Sequence, residues 1–589
     1  MIKRSLSHLT INLLVVLLLI SCSRVGKKSI SIIETTDIHG VILPYDFIEK
    51  EKLNVSLASS FKYIKQIRKE KDATILLDNG DNLQGQPEVY YYNFIDTISP
   101  HFLAEAMNYM GYDACTVGNH DVEAGHAVYD RLVKKYNFPL LAANAINVKT
   151  GKPYFKPYQI IEKDGIKIAV FGLITPAIPN WLPPELYSGI EFKDMVETAK
   201  KWMPVILHEK PDLVVGLFHS GWERSEAEFK KNHSLSENGS AAVAYNVPGF
   251  NIIFTGHDHK LANEKFVNSA GDTILILNGG SRSEKLAEAD ITFTSKMIIG
   301  KRQMKIAGQI INVADFQPDP EFITKFMPQH EVINEYVNRV IGNSSATISS
   351  RDAYFGPSAF IDMIHRIQLE ITGADISFAA PLSFDVQISK GPITVGDMFK
   401  LYRFENMLYT MTLSGEEIQK YLEYSYSGWL NTMKGPADIL LKFRTGKDGK
   451  PLITNEKAWL KNPSYNFDSA AGINYTVDVS KPEGERIVIK SFTDGRPFEK
   501  NKMYKVAVNS YRGNGGGGHF IEGAGIAKDE LRKRLISSTN RDLRYYILKS
   551  IEIKKTINPE PLNNWKIIPE KWVKSAMPPE YALLFGIKK

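Results

Sequence analysis

Short apolar runs recur along the first half of the chain, and each ends abruptly in polar residues. Amphipathic stretches lie between them, so the pattern alternates predicted strands with predicted helices. This alternation is typical of an α/β layered domain. An Asp164-Gly165 turn between apolar residues of the segment 160–175 predicts a β-hairpin. The apolar runs that end in polar residues are 31–36, 74–77, 113–117, 213–218 and 252–255.

The second half of the chain begins with a predicted helix, from about Pro320 to Ile341, which we interpret as a connector between two domains. Beyond it, Ser414-Gly415-Glu416-Glu417 is a capping box that predicts a helix through Leu422. The predicted division is a leader at 1–22, a first domain at 30–315, a helical linker at 316–344, a second domain at 345–557 and a tail at 558–589.

The N-terminus has the pattern of an export signal. Lys3 and Arg4 precede an apolar stretch, 9–20, that is too short to span a bilayer. Cys22 follows directly, as in a bacterial lipobox, although a plain signal peptide with an incidental cysteine would also fit. We predict a lipidated Cys22 and a lipoprotein of the bacterial cell envelope that faces the periplasm or the cell exterior. Cys115 is then the remaining thiol, so an internal disulfide is not expected.

Composition narrows the choice of partners. The chain has 589 residues, 43% hydrophobic and 23% charged, and a formal net charge of +6 without a long basic run. This length implies more than one domain, and the weak net charge does not predict a surface for a nucleic acid polymer. A small phosphorylated substrate needs only local positive charge, and we expect a monomer.

Five of the predicted strand ends carry side chains that bind metals. Carboxylate oxygen, imidazole nitrogen and amide oxygen are ligands of hard and borderline divalent ions. A lone histidine at a strand end is usually a satisfied polar residue, but five consecutive strand ends with ligand chemistry predict a metal site. The candidate ligands are Asp37, His39, Asp81, Asn119, His219, His257 and His259.

These motifs, Asp37-x-His39, Gly80-Asp81-Asn82, Gly118-Asn119-His120-Asp121, His219 and Gly256-His257-x-His259, resemble those of the calcineurin-like metallophosphoesterases, and among them the 5'-nucleotidase family. The resemblance extends from about Ser31 to Phe520. It implies a four-layer α/β/β/α metallophosphoesterase domain followed by a mixed α+β substrate-binding domain. It also implies two divalent ions (Zn, Mn, Fe, Co or similar): one bound by Asp37, His39 and His259, the other by Asn119, His219 and His257, with Asp81 as a bridge.

Two nearby ions can activate a water molecule for attack on phosphorus and neutralise charge on the phosphoryl oxygens. His120, beside the ligand Asn119, is then placed to stabilise that charge or to act as a general acid. Family members often carry an aspartate three residues after this histidine, and it orients the ring. This chain has Glu123 at that position, which the resemblance implies as the partner of His120 in catalysis. We predict that Asp121 is a structural hydrogen-bonding residue in the turn.

The second half resembles the substrate domain of the same family in three segments, 374–382, 402–406 and 504–520. Within the family, 465–486 is most similar to the 2',3'-cyclic-nucleotide 2'-phosphodiesterases. The residues after Ala380 read Pro381-Leu382-Ser383-Phe384, where classical 5'-nucleotidases carry arginines. The predicted substrate-binding residues are Asn406, Phe467, Tyr511 and Arg512, with ordinary core packing as the alternative for the two aromatic residues.

The sequence therefore predicts an exported two-metal phosphoesterase that hydrolyses nucleotides, as a 2',3'-cyclic-nucleotide phosphodiesterase, a 5'- or 3'-nucleotidase, or both. Two alternatives stay open. One is a nucleotide-sugar or diphosphate hydrolase of the same family. The other is a nucleotide-binding lipoprotein whose metal site is structural.

Overall fold

The structure is a computed structural model that describes residues 27–298 and 301–586, apart from positions 224, 227–228, 230–235 and 455. Cys22 and the predicted signal peptide lie outside the described residues, so lipidation stays a prediction. In the described part of the chain, no helix has the length and apolar character needed to cross a bilayer.

Two six-stranded mixed sheets form the first half of the fold. The first has the spatial order Lys301–Asn312, Lys285–Ile298, Lys28–Thr35, Ala73–Asp78, Ala114–Thr116 and Leu140–Leu141. The second has the order Leu261–Val267, Thr273–Gly279, Ile252–Thr255, Leu213–His219, Ile166–Ile174 and Tyr158–Lys163. The last two of these strands form the antiparallel hairpin predicted at Asp164-Gly165.

The sheets pack face to face and are covered by helices on both outer faces. Ile32 and Val215 belong to the core between the sheets, whereas Ile33, one residue later on the other face of its strand, packs under helices. This alternation follows from the two-residue period of a strand. The predicted four-layer α/β/β/α arrangement is thus confirmed. The covering helices are Leu57–Glu70 and Phe102–Met110 on one side, and Met195–His208 and Ser240–Asn246 on the other.

The central strands of both sheets are parallel, so their carboxyl ends meet at one edge of the sandwich. Two side chains join the sheets there. Asn79 Nδ2 donates to Phe218 O at 3.1 Å, and Thr116 Oγ1 donates to Leu217 O at 3.0 Å. The polar residues that follow these strands are therefore brought together.

The predicted connector is a helix from Pro320 to Asn338, and its Phe322, Phe326 and Ile333 are buried against the first domain. The prediction extended it to Ile341, but Val340–Ser344 is a strand that pairs with Gly391–Thr394. Val340 and Ile341 are β-branched residues, which suit a strand, and Val340 pairs with Thr394 at the start of this ladder.

The second domain is built on a five-stranded sheet with helices packed against it. Its strands, in spatial order, are Ser469–Ala471, Ile376–Ala379, Met503–Asn509, Met407–Ser414 and Leu535–Asp542. The capping box at Ser414 and Glu417 is confirmed, and its helix runs on to Trp429. The other longer helices are Ala359–Thr372, Val395–Leu401, Leu543–Lys554 and Glu570–Phe585.

Residues 565–585, which the prediction places in a tail, belong to the second domain. Trp565–Ile568 pairs in parallel with Ile473–Asp478, and the helix Glu570–Phe585 packs in the core of the second domain. The buried Glu580 of this helix accepts hydrogen bonds from the backbone amides of Leu440 and Leu441, at 2.6 and 2.8 Å. The pairing partners lie about ninety residues apart in sequence, which hides the contact from local pattern analysis.

Candidate active site

All seven predicted metal ligands lie together at the edge where the strand ends meet. Asp37, His39 and His259 form one group, and Asp81, His219 and His257 form a second, each with candidate ligand atoms within 4.8 Å of one another. The amide oxygen of Asn119 joins the second group, 2.7 Å from His257 Nδ1 and 3.1 Å from His219 Nε2.

Electron-pair donors face one another inside both groups. In the first group, His39 Nε2 lies 3.1 Å from His259 Nε2, which in turn lies 3.3 Å from Asp37 Oδ1. In the second, His219 Nε2 lies 3.2 Å from Asp81 Oδ2. Converging imidazole nitrogens and carboxylate oxygens are the donor arrangement that a divalent cation holds together.

The far sides of the imidazoles are fixed by hydrogen bonds that point their other nitrogens into the site. His39 Nδ1 bonds to Gln84 O at 3.1 Å, and His219 Nδ1 bonds to Asn79 O at 2.6 Å. His257 is turned the other way, because its Nε2 bonds to Glu237 Oε1 at 3.0 Å and its Nδ1 faces Asn119. Such outer contacts orient metal-binding histidines and select their tautomer.

The backbone at the ligands is strained. Asp37, His39, Asp81, His257 and His259 all have φ between 48° and 73°, in the left-handed region. Residues other than glycine rarely adopt this conformation, and strained backbone clusters at functional sites. Five of the seven candidate ligands have this backbone conformation. The loops therefore take the shape that directs these side chains into the site and not the shape with the least local strain.

Asp121 supports the loop that carries Asp81. Its carboxylate accepts hydrogen bonds from the backbone amides of Asp81 (3.0 Å), Asn82 (2.9 Å) and Gly118 (2.8 Å). A side chain at position 118 would collide with Asp81, since a Cβ there would lie 2.2 Å from Asp81 Oδ1. The structural role predicted for Asp121 is confirmed.

The donor set fits divalent metal ions. Asp37 and Asp81 are fully buried carboxylates that need positive charge nearby. Burial lowers the pKa of the His39 imidazole to about 4, and this keeps the ring in the neutral form that binds metals. These buried electron-pair donors point into a shared space, as the ligands of a metal centre do.

His120 stands beside the metal ligands with Glu123 behind it. Its Nδ1 lies 2.5 Å from Glu123 Oε2, and its backbone amide donates to Asp81 Oδ1 at 2.7 Å. Burial lowers the pKa of His120, but the Asp81 and Glu123 carboxylates outweigh it and raise the pKa to about 10. The longer side chain of Glu123 therefore reaches the ring, and Nε2 is the nitrogen left for a substrate.

A cavity of about 280 Å³ opens over the metal ligands between the two domains. Asn119, His120 and His257 of the first domain line it, together with aromatic and amide side chains. The remaining lining residues are Glu123, Trp181, Leu182, Glu237, Leu382, Phe404, Asn406, Tyr465, Asn509 and Tyr511.

Two of the four predicted substrate-binding residues line this cavity, Asn406 and Tyr511. Phe467 does not. It is 1% exposed and stacks on Trp429, with ring centroids 5.1 Å apart and planes within 5°. The stacking role predicted for Phe467 is corrected to core packing, because both the stacked face and the edge beside Tyr354 are occupied by protein.

Arg512 is also directed away from the cavity. Its guanidinium is buried, forms an ion pair with Asp468 at 3.0 Å and donates to Gly516 O at 2.6 Å and Tyr465 O at 2.8 Å. These partners leave it no reach toward a ligand. Direct substrate binding by Arg512 is therefore corrected to support of the two loops that carry Tyr465 and Tyr511.

Several lining residues escaped the sequence analysis. Tyr465 and Phe404 lie in the segments already singled out, and their rings meet edge to face at 6.3 Å. Trp181 comes from the first domain and lies over His257, with ring centroids 5.4 Å apart. The sequence contains no signal for Trp181. The aromatic residues of 402–406 and 465–468, in contrast, could have been considered as one group of candidates for the cavity.

Comparisons with known proteins assign a family to each of the two domains. The family model "Calcineurin-like phosphoesterase" matches residues 30–261, and "5'-nucleotidase, C-terminal domain" matches residues 340–522. The chain is 26% identical to a 2',3'-cyclic-nucleotide 2'-phosphodiesterase/3'-nucleotidase of Haemophilus influenzae, over 92% of this chain and 88% of that protein. It is 28% identical to the trifunctional nucleotide phosphoesterase YfkN of Bacillus subtilis, over 93% of this chain but only 39% of that protein's length.

Among solved structures, a Staphylococcus aureus protein crystallised with α-ketoglutarate has a TM-score of 0.73 at 20% identity, covering 92% of this chain and 99% of that one. This similarity supports the two-domain fold. The two family models together match more than half of the chain and follow one another in the order of the two domains. The chain is therefore a hydrolase of the calcineurin-like metallophosphoesterase family that carries a 5'-nucleotidase C-terminal domain.

Proposed function

We propose that this protein is an exported phosphoesterase that uses two divalent ions to hydrolyse phosphate esters of single nucleotides. The substrates would be 2',3'-cyclic nucleotides, 5'- or 3'-monophosphates, or several of these. One observation carries the proposal: two groups of candidate ligands lie beside a cavity that is lined by His257, His120 and several aromatic side chains. A metal site with a structural role alone would not need that opening.

In this proposal Asp37, His39 and His259 hold one ion, Asn119, His219 and His257 hold the other, and Asp81 contacts both. When bound, the ions would activate a water molecule for attack and neutralise charge on the phosphoryl oxygens. The protein supplies the rest. Gln84 O, Asn79 O and Glu237 Oε1 accept hydrogen bonds from the imidazoles and keep the metal-binding nitrogens directed into the site. The ions therefore do not have to order their own ligands.

His120 would stabilise the transition state. Glu123 fixes Nδ1 and favours the charged ring, so Nε2–H can donate to a phosphoryl oxygen or to the leaving oxygen as the P–O bond breaks. His120 donates its backbone amide to Asp81. The donor is therefore fixed relative to the bridging ligand, which is the geometry that the chemistry requires.

The nucleoside would occupy the aromatic end of the cavity. Tyr465 and Tyr511 lie on neighbouring loops that Arg512 ties together, and both line the cavity with Phe404. Aromatic faces accept any base by stacking. A volume of about 280 Å³ lies just below the usual range for small-molecule sites. It favours one nucleoside over a dinucleotide, and the name of the Haemophilus influenzae relative points to the same substrates.

We also propose that the mature chain is held at a membrane by lipid on Cys22, since the cysteine directly follows the apolar stretch of the leader. Mass spectrometry of the protein from its native host should find a lipidated Cys22 at the N-terminus. Cys22→Ser should release the protein in soluble form. An unmodified terminus beyond residue 22 would contradict the anchor.

The function is tested by a hydrolysis screen of the purified, metal-loaded protein. Cyclic nucleotides, 5'- and 3'-monophosphates, nucleotide sugars and a small aryl phosphate are compared by kcat/KM. We expect preference for one or more mononucleotide classes and reversible loss of turnover on chelation. Preference for nucleotide sugars, or turnover that survives exhaustive chelation, would contradict the proposal.

A further inference from the structure

We infer that Arg544 and Tyr90 act together as positioning residues, which couple the contact between the domains to the cavity segment 402–406. The inference deepens the proposed function and rests on it, because it concerns how the nucleoside end of the cavity is held in place over the metal ligands. Neither residue touches the cavity itself.

Arg544 is a buried arginine whose hydrogen bonds converge on one segment. It is 1% exposed, and its guanidinium donates to Tyr402 O at 2.8 Å, Arg403 O at 2.6 Å and Glu405 Oε1 at 2.8 Å. The preceding residue, Leu543, donates its backbone amide to Asn406 O at 2.8 Å. Four of the five residues in 402–406 are therefore held by the start of one helix, Leu543–Lys554.

This segment shapes the substrate cavity. Phe404 and Asn406 line it, together with His120 and Glu123 of the first domain. A rigid guanidinium fork that satisfies two carbonyls and a carboxylate fixes a loop more strongly than a single contact would. The positions of Phe404 and Asn406 therefore depend on where Arg544 is held.

Arg544 is held in turn by a residue of the first domain. Its guanidinium carbon lies 4.1 Å from the ring centroid of Phe399 in its own domain and 4.9 Å from that of Tyr90 across the interface. Tyr90 is 6% exposed, and its hydroxyl donates to Asp542 Oδ2 at 3.0 Å. The two rings meet edge to face, with centroids 5.3 Å apart, and the buried guanidinium contacts both of them. A cation–π contact in a desolvated site is substantial.

Tyr90 is connected to the metal site through its own short helix. It ends the short helix Pro87–Tyr90, whose N-cap is Gln86, and the backbone amide of Gln86 donates to His39 O at 3.1 Å. A continuous series of contacts thus runs from the ligand His39 through Tyr90 and Arg544 to 402–406. When the domains adopt this orientation, the substrate segment is fixed relative to the metal ligands.

The test uses Tyr90→Leu, which removes the ring, and Tyr90→Phe, which keeps it over Arg544 but deletes the bond to Asp542. Arg544→Lys removes the fork while keeping the charge. Tyr90 and Arg544 also line a groove between the domains, separate from the substrate cavity. Arg339→Gln is the matched control, because Arg339 lines this groove and pairs with Glu552 at the surface, at 2.7 Å. Kinetics on a nucleotide and on a small aryl phosphate are combined with hydrogen exchange of the 402–406 amides.

We expect Tyr90→Leu and Arg544→Lys to raise KM for the nucleotide about tenfold with little change in kcat. The aryl phosphate, which needs no nucleoside end, should keep its kcat/KM in both. Exchange at 402–406 should be faster in both variants, and Tyr90→Phe and Arg339→Gln should stay close to wild type. Thermal unfolding identifies a variant that is merely unstable. The kinetics of Tyr90→Leu and Arg544→Lys are then measured at a temperature below the unfolding transition of that variant.

Unchanged exchange at 402–406, or equal losses on both substrates, would overturn the inference. Absence of nucleotide hydrolysis by the wild-type protein would instead overturn the proposed function. The exchange measurement needs no substrate, so the two failures are distinguished. If exchange rises while nucleotide KM does not, positioning for substrate is also rejected.

Discussion

The metal centre and the aromatic end of the cavity meet at His120 but are built differently. The candidate metal ligands lie at the ends of parallel strands, most of them are buried, and five have left-handed backbone. The aromatic residues sit on loops from both domains, and Tyr465 is 37% exposed. One region is fixed by two packed sheets, and the other is fixed by contacts between loops.

The difference assigns chemistry and selectivity to separate parts of the molecule. A change at a metal ligand acts on every substrate, because every substrate presents the same phosphoryl group. A change at the aromatic end acts only on substrates that carry a nucleoside. Substrate pairs, one with a base and one without, therefore separate the two regions experimentally.

The largest effect is expected for Asp81→Asn, which replaces the carboxylate next to both ligand groups. Loss of this charge removes several kcal/mol of transition-state stabilisation, so kcat/KM should fall by about 10³-fold or more on nucleotide and aryl phosphate alike. Steady-state kinetics and elemental analysis measure the effect. A variant with full activity would rule out the two-metal site.

His120→Asn should lower kcat by about 10² to 10⁴-fold on both substrate types, with metal content unchanged. The charged ring is the active form, and Asp81 and Glu123 outweigh burial to raise its pKa to about 10, so activity should fall as the pH rises through that value. Glu123→Gln removes one negative neighbour and should move this fall to lower pH. If His120→Asn loses its metals, the residue is a ligand instead.

Tyr465→Ala and Tyr511→Ala should weaken the hydrolysis of nucleotides and leave that of the aryl phosphate nearly unchanged. Loss of one stacked ring costs about 1 to 3 kcal/mol, so nucleotide KM should rise while aryl phosphate hydrolysis stays nearly constant. Phe467→Leu is the matched control, since this ring packs on Trp429 in the core and should affect the melting temperature rather than KM. A selective rise in nucleotide KM in Phe467→Leu would restore the original assignment.

The smallest effect is expected for Glu237→Gln. Its carboxylate orients His257 but is half exposed, so metal affinity should fall by about tenfold, at the low end for residues that support a metal ligand. Competition with a chelating dye measures this affinity directly. An unchanged affinity would show that His257 keeps its orientation without Glu237, through Trp181 and Asn119 alone.

The sequence by itself determined the fold class and the metal-ligand candidates. Both depend on local patterns: apolar runs that stop at polar residues, and parallel strands whose ends meet at one edge once the sheets form. Convergence of Asp37, Asp81 and His257 then follows from topology. The export pattern before Cys22 is equally local, and it stays a prediction.

Only the tertiary structure decided which aromatic residues line the cavity and how residues 565–585 pack. Phe467 and Tyr465 are two positions apart, and nothing in their spacing shows that Trp429 covers one while the other lines the cavity. Trp181 reaches the cavity across the domain interface, and Trp565–Ile568 joins a strand far away in sequence. These outcomes depend on contacts between segments that are distant in sequence. Packing sets the free energy of those contacts, and no local hydrophobic period along the chain encodes it.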